Sequence, residues 1–201
     1  PLVSTSSSLF LPLASLPSVP SRLENGGFED GAAAWTTFSY QGDYIIMNGF
    51  EPAVGMPRTG GWGAWLGGRN DDFAYIDQER TIGSEASTLS YWEWIASIDD
   101  SCLDFADVVV DDELVETYSL CILTNTNAWH ERRIDLSAYA GNAVTVQIRV
   151  ETNESGNSNL FLDDVALMAV GLESAQQDGI SETKLERGRT HLKKDPGRLR
   201  P

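Results

Sequence analysis

The residues of this chain that could do chemistry are mostly acids. Adjacent carboxylates stand at Asp71-Asp72, Asp99-Asp100, Asp111-Asp112 and Asp163-Asp164. Two carboxylates about 5–9.5 Å apart across a cleft are what glycoside hydrolysis requires. These pairs read instead as turn residues, where Asp is favoured for its local hydrogen bonds. Histidine is limited to His130 and His191, too few for a histidine metal cluster or a Ser-His-Asp relay. A glycine-rich loop followed by lysine is absent, so no phosphate cradle is expected, and the chain is not expected to be an enzyme.

Two other residue classes could bind or brace. Cys102 and Cys121 are the only cysteines, 19 residues apart, and flank an apolar-rich run that reads as a hairpin turning at Asp111-Asp112. A disulfide tying the outer ends of that hairpin is expected, with two free buried thiols as the alternative; by loop-closure reasoning the bridge contributes about 3 kcal/mol. Six Trp and six Tyr are many for 201 residues. In the YWEW run Trp92 and Trp94 share one side of a strand while Tyr91 and Glu93 share the other, which leaves open which side is core. Aromatics dominate cores, so Trp35, Trp65, Trp92 and Trp94 are expected to be packed. Trp62 and Trp129, beside Gly or Asn turns, are the expected ligand-stacking residues.

Charge narrows the partners. Up to Gly171 the chain carries seven Arg, no Lys and 25 of the 30 acids, a formal charge of −18; the other seven basic residues all follow. So acidic a body repels nucleic acid and anionic membranes and attracts cations. No apolar run approaches the roughly 18 residues of a membrane span, so membrane insertion is not expected. The sequence opens on Pro1 rather than Met, as either removal of a secretory signal or a fragment of a longer chain would leave it; with the cysteine pair and the acidic body, an extracellular or cell-surface location is expected.

The elements that must position these residues are strands. Short apolar or alternating runs fall at Tyr44–Met47, Trp62–Leu66, Ala74–Thr81, Thr88–Ser97, Ala106–Val110, Glu113–Leu123, Trp129–Asp135, Ala143–Glu151 and Asn159–Val170. In VTVQIRV (144–150) apolar and polar residues alternate strictly, as a half-buried strand requires. Helical periodicity is limited to one possible turn at Leu136–Tyr139. The expected fold is all-β, an antiparallel sandwich over residues 23–171. Residues 1–22 are Ser- and Pro-rich and read as an extended arm or linker; residues 172–201 form a basic, mixed-charge tail.

The segment LENGGFEDG (23–31) followed by Trp35, with NLFLDDVAL (159–167), resembles the first and last strands of galactose-binding-like jelly rolls. It looks most like bacterial extracellular MAM-like domains and carbohydrate-binding modules of families 4 and 22. GWGAWLG (61–67), YIDQ (75–78), TLSYWEWI (88–95) and WHERRIDLSAYAG (129–141) are similar to those domains in order and spacing. The resemblance implies a structural calcium pinning the terminal strands together. Glu29 and Asp163 would be its side-chain ligands, Asp164 the fallback because alternation lets one of the two adjacent acids face the site, and carbonyls near Gly27 and the Gly60-Gly61 turn would complete the shell. A hard cation wants six to eight oxygens, which such a set can supply.

Two functions follow. The first is an assembly subunit of an extracellular filament or surface structure, self-associating through its terminal arms, with Leu9, Phe10, Leu11 and Leu13 adding a strand to a neighbour's sheet edge. The second, which the resemblance supports at least as well, is a carbohydrate-binding or adhesion module from a larger secreted enzyme, with a glycan as partner.

Overall fold

A computed structural model describes residues 22–49 and 57–168. The arm residues Leu9, Phe10, Leu11 and Leu13 and the basic tail lie outside them, so the structure does not bear on the assembly arms.

Among the described residues ten strands form two five-stranded antiparallel sheets. Sheet A runs β1 (Thr36–Ser39), β4 (Phe73–Thr81), β9 (Ala143–Glu151), β6 (Phe105–Val110), β7 (Glu113–Ser119). Sheet B runs β2 (Ile46–Asn48), β3 (Trp62–Gly67), β10 (Ser158–Met168), β5 (Thr88–Ser97), β8 (His130–Asp135). Alternation sorts each strand between core and outer face: Ala74, Ile76, Val144, Val146, Ile148 and Val150 of sheet A meet Ala64, Leu66, Leu89, Tyr91, Leu160 and Leu162 of sheet B. This is the expected antiparallel sandwich. Asp111 and Asp112 form the expected two-residue turn between β6 and β7, both with positive φ (48° and 67°), the primed geometry that matches strand twist.

Three elements differ from expectation. β1 was not foreseen because TTFS offers one large apolar residue and lies at an exposed sheet edge, where packing imposes no pattern. The strand expected to run to Leu123 stops at Ser119, and Ile122–Thr124 turn as a short 3-10 segment. The aromatic assignment is largely inverted: Trp35 is in the core, but Trp65, Trp92 and Trp94 stand half-buried on the outer face of sheet B, while Trp62 shares the inward parity of Ala64 and Leu66 and packs against the core.

The Cys102–Cys121 disulfide is formed, with Cα atoms 4.9 Å apart just outside β6 and β7. A second brace joins the two sheets at their β7 and β8 edges. Arg132 of β8 donates from Nε and Nη2 to the buried Glu93 carboxylate of β5 and from Nη1 to Glu116 of β7. Its guanidinium lies 3.7 Å over the Tyr118 ring, and the Tyr118 hydroxyl donates to Glu93 at 2.8 Å while also meeting the Tyr91 hydroxyl.

The two ends of the described chain meet. Val165 N–H donates to the Gly26 carbonyl at 2.9 Å, and the approach is so close that a Cβ on Gly26 would stand 1.9 Å from the Val165 carbonyl oxygen. In β10 the register slips between Asp163 and Ala166, a bulge centred on Asp164 with φ 50°, a conformation Asp tolerates better than most side chains.

Candidate functional site

Sheet A presents an outer face that mixes rings and polar groups. Outward positions in register across the sheet are Phe38 of β1, Tyr75 of β4, Arg149 of β9 and Asp107 of β6. Phe38 stacks on Tyr75 with centroids 5.3 Å apart, and Phe73 completes a triangle with both, at 6.4 Å from Phe38 and 6.0 Å from Tyr75. Next to the rings, Arg149 donates from Nε (3.0 Å) and Nη2 (2.9 Å) to one oxygen of Asp107; among the described residues the second Asp107 oxygen and Arg149 Nη1 have no hydrogen-bond partner, and both are open to a ligand. Asp77 and Gln147 flank the row. Phe38 is 42% exposed, against the polar outward position expected of a sandwich strand. With strands about 4.8 Å apart, the row leads from an apolar platform to hydrogen-bonding groups within the reach of a short, extended ligand.

Sequence reasoning passed over these residues. The signal was present in FAYID (73–77), where Phe, Tyr and Asp occupy one parity while Ala74 and Ile76 take the core, and in Gln147 and Arg149 on the polar parity of VTVQIRV. Those positions show a binding face only once β1 is known to supply Phe38 beside them.

The residues expected to hold an ion gather around one loop, 58–62. Asp163 Oδ2 accepts from Thr59 N–H at 2.9 Å and Asp164 Oδ1 from Thr59 Oγ1 at 2.9 Å, while Asp164 also pairs with Arg58. Alternation was expected to turn only one of these acids toward the site. The bulge cancels it, and both carboxylates reach the loop. Glu29 accepts from the N–H groups of Gly61 (3.0 Å) and Trp62 (3.1 Å). Gly61 thus offers Glu29 a donor, and its carbonyl accepts one hydrogen bond, from Gly49 at 3.1 Å. Gly27 leaves the space beside the aspartates open: a Cβ there would lie 3.5 Å from Asp164 Oδ1 and 3.9 Å from Asp163 Oδ1. Burial, with the neighbouring Asp164 charge adding to it, pushes the Asp163 carboxyl up to about 6, the behaviour of a buried acid without a full countercharge. Among the described residues no three acidic, histidine or cysteine side chains group as a metal site. Asp163, Asp164 and Gly27 therefore fit a hard cation only if backbone oxygens complete the shell.

Trp62 and Trp129 are not brought together. Trp62 opens β3 against the core, whereas Trp129 precedes the far edge strand β8 and meets the Trp94 ring edge-to-face at 6.1 Å. His130 is exposed at the start of β8.

No family model and no curated protein matches the sequence. Solved structures do match. TmCBM61, solved in complex with β-1,4-galactotriose, is 16% identical with a TM-score of 0.52, and the match covers 73% of this chain and 97% of that one. The K2 cleaved adhesin domain of Lys-gingipain is 17% identical with a TM-score of 0.50, over 71% of this chain and 96% of that one. The K3 cleaved adhesin domain of the same protein from Porphyromonas gingivalis W83 is 16% identical, also with a TM-score of 0.50, over 73% and 96%. The chain thus has the β-sandwich fold found in a carbohydrate-binding module and in adhesin domains.

Proposed function

We propose that this chain is a non-catalytic, extracellular carbohydrate-binding or adhesion module that holds a glycan on the outer face of sheet A. The observation that carries this reading is the row Phe38–Tyr75–Arg149–Asp107. A sugar ring is apolar on its C–H faces and polar around its rim; rings like Phe38 and Tyr75 complement the first, and a guanidinium–carboxylate pair with open donor and acceptor positions complements the second. The shared fold of TmCBM61 and the adhesin domains supports it, as does the resemblance of NGGFED and LFLDDV to MAM-like domains and to carbohydrate-binding modules of families 4 and 22. These observations favour binding over the filament-subunit reading. The disulfide supports an oxidising, extracellular location.

The test is titration with neutral oligosaccharides chosen from a glycan array. Tyr75→Ala is expected to weaken binding by about 30-fold, roughly 2 kcal/mol as for a central aromatic contact, and Arg149→Ala by a similar factor, with both variants keeping the parent circular dichroism spectrum. Unchanged affinity in both would remove sheet A as the binding face.

A calcium ion is proposed at the 58–62 corner, held by Asp163 and Asp164 with Glu29 and Gly27 alongside. It would supply the countercharge that buried Asp163 lacks. Millimolar calcium is expected to raise the Tm by several degrees, the size of effect given by a ligand near 100 times its Kd, about 2.7 kcal/mol. Asp163→Asn should abolish that rise. An identical melt in calcium and in chelator would refute the ion.

A further inference from the structure

We infer that the outer face of sheet B carries a second, independent carbohydrate site, a groove at the β5–β10 end walled by Trp94. The inference extends the carbohydrate reading above and places a different part of the surface in contact with ligand.

The groove encloses about 530 Å3, and its floor and rim include Trp94, Ala96, Asn125, Asn127, Asn157 and Asn159. None of its lining residues is ionisable, in a body whose formal charge is −18. A lining free of charge does not select an ion or a charged peptide. It matches a neutral, hydroxyl-rich ligand, since amide side chains both donate and accept and an indole offers a flat apolar face.

The remaining outer-face tryptophans are differently committed. Trp92 is capped by the Arg58 guanidinium at 3.7 Å, and Trp65 donates its indole N–H to Asn159 Oδ1 at 3.0 Å. Trp94 lines the groove and meets the neighbouring Trp129 ring edge-to-face, at an interplanar angle of 85°.

The amides divide the work. Asn125 is fixed by reciprocal bonds with the Ser97 backbone, at 2.7 Å to its N–H and 2.9 Å to its carbonyl, and Asn159 donates to the Ala96 carbonyl at 2.8 Å. These hold the groove rigid before any ligand arrives, which limits the ordering cost of binding. Among the described residues the Asn127 side chain reaches only the Asn125 carbonyl, at 3.3 Å from its Nδ2, so its side-chain oxygen is open to a ligand hydroxyl. Opposite faces of one sandwich would then grip two glycan chains at once.

The experiment uses the intact chain and the neutral oligosaccharide that gives the strongest response on an array of β-linked galacto-, xylo- and gluco-oligosaccharides. Isothermal titration should give two sites per chain, and the tryptophan indole N–H signals should shift in NMR spectra during the same titration. Trp94→Ala and, separately, Asn127→Ala should reduce two sites to one without changing the affinity of the other. Tyr75→Ala should do the reciprocal, and Trp94→Ala with Tyr75→Ala should abolish binding. Asn127 is exposed and guards against a Trp94 variant that simply folds poorly.

A single site lost with Tyr75→Ala and indifferent to Trp94 and Asn127 overturns the second site and leaves the proposed function standing. A single site lost with Trp94→Ala alone upholds the groove and refutes the sheet A assignment. No binding to any of the oligosaccharides overturns both.

Discussion

Arg132→Ala is expected to lower the unfolding free energy by about 3–5 kcal/mol, the cost of stranding one member of a buried ion pair. Glu93 is the member left behind. Its side chain is 1% exposed and that of Arg132 24%, so water cannot replace the guanidinium. Two Arg132 nitrogens currently bond the Glu93 carboxylate, and Tyr118 supplies a third donor that alone cannot neutralise it. Replacing Glu93 and Arg132 together with leucine should cost much less than Arg132→Ala, because paired removal leaves no buried charge. The Glu116 arm of the network is a third exposed and contributes the small amount typical of surface pairs. Urea melts of the two variants and the parent decide the matter. A loss below about 1 kcal/mol for Arg132→Ala would mean the pair is solvated like any surface bridge.

Removing the disulfide by paired Cys102→Ala and Cys121→Ala is expected to cost about 3 kcal/mol, the loop-closure value for a ring of this length. The loss should also be local. Among the described residues β7 is an edge strand whose only sheet neighbour is β6, and the bridge encloses just that hairpin. Hydrogen exchange should therefore quicken in β7 before it changes in β4 or β9, as expected of a unit with few partners. Stability within 1 kcal/mol of the parent would show that the hairpin is held by its side-chain network instead.

Much of the fold was legible because most strands have one buried face, and burial writes a period of two into sequence. β9 is the clearest case. β1 escaped because an exposed edge strand has no such constraint. The tryptophans were misread because size argues for burial, while only register and partner strands decide which parity faces inward: Glu93, an acid, points into the sandwich because Arg132 and Tyr118 meet it there, and that places Trp92 and Trp94 outside. The Asp163-Asp164 pair shows a related failure. One residue of slip in β10 turns both carboxylates to the same loop, and the motif carries no sign of it. The disulfide and the Asp111-Asp112 turn were readable because each is fixed by local spacing alone.

The meeting of Gly26 with Val165 has a mechanical consequence. Arg22 and Leu167 line the same small cavity, so the polypeptide enters and leaves the sandwich at one corner. Were the sandwich tethered by both ends, drag would be borne at that corner, by the Gly26–Val165 bond and the Arg58–Asp164 clasp, rather than carried lengthwise through the sheets, and the surfaces of both sheets would keep their shape.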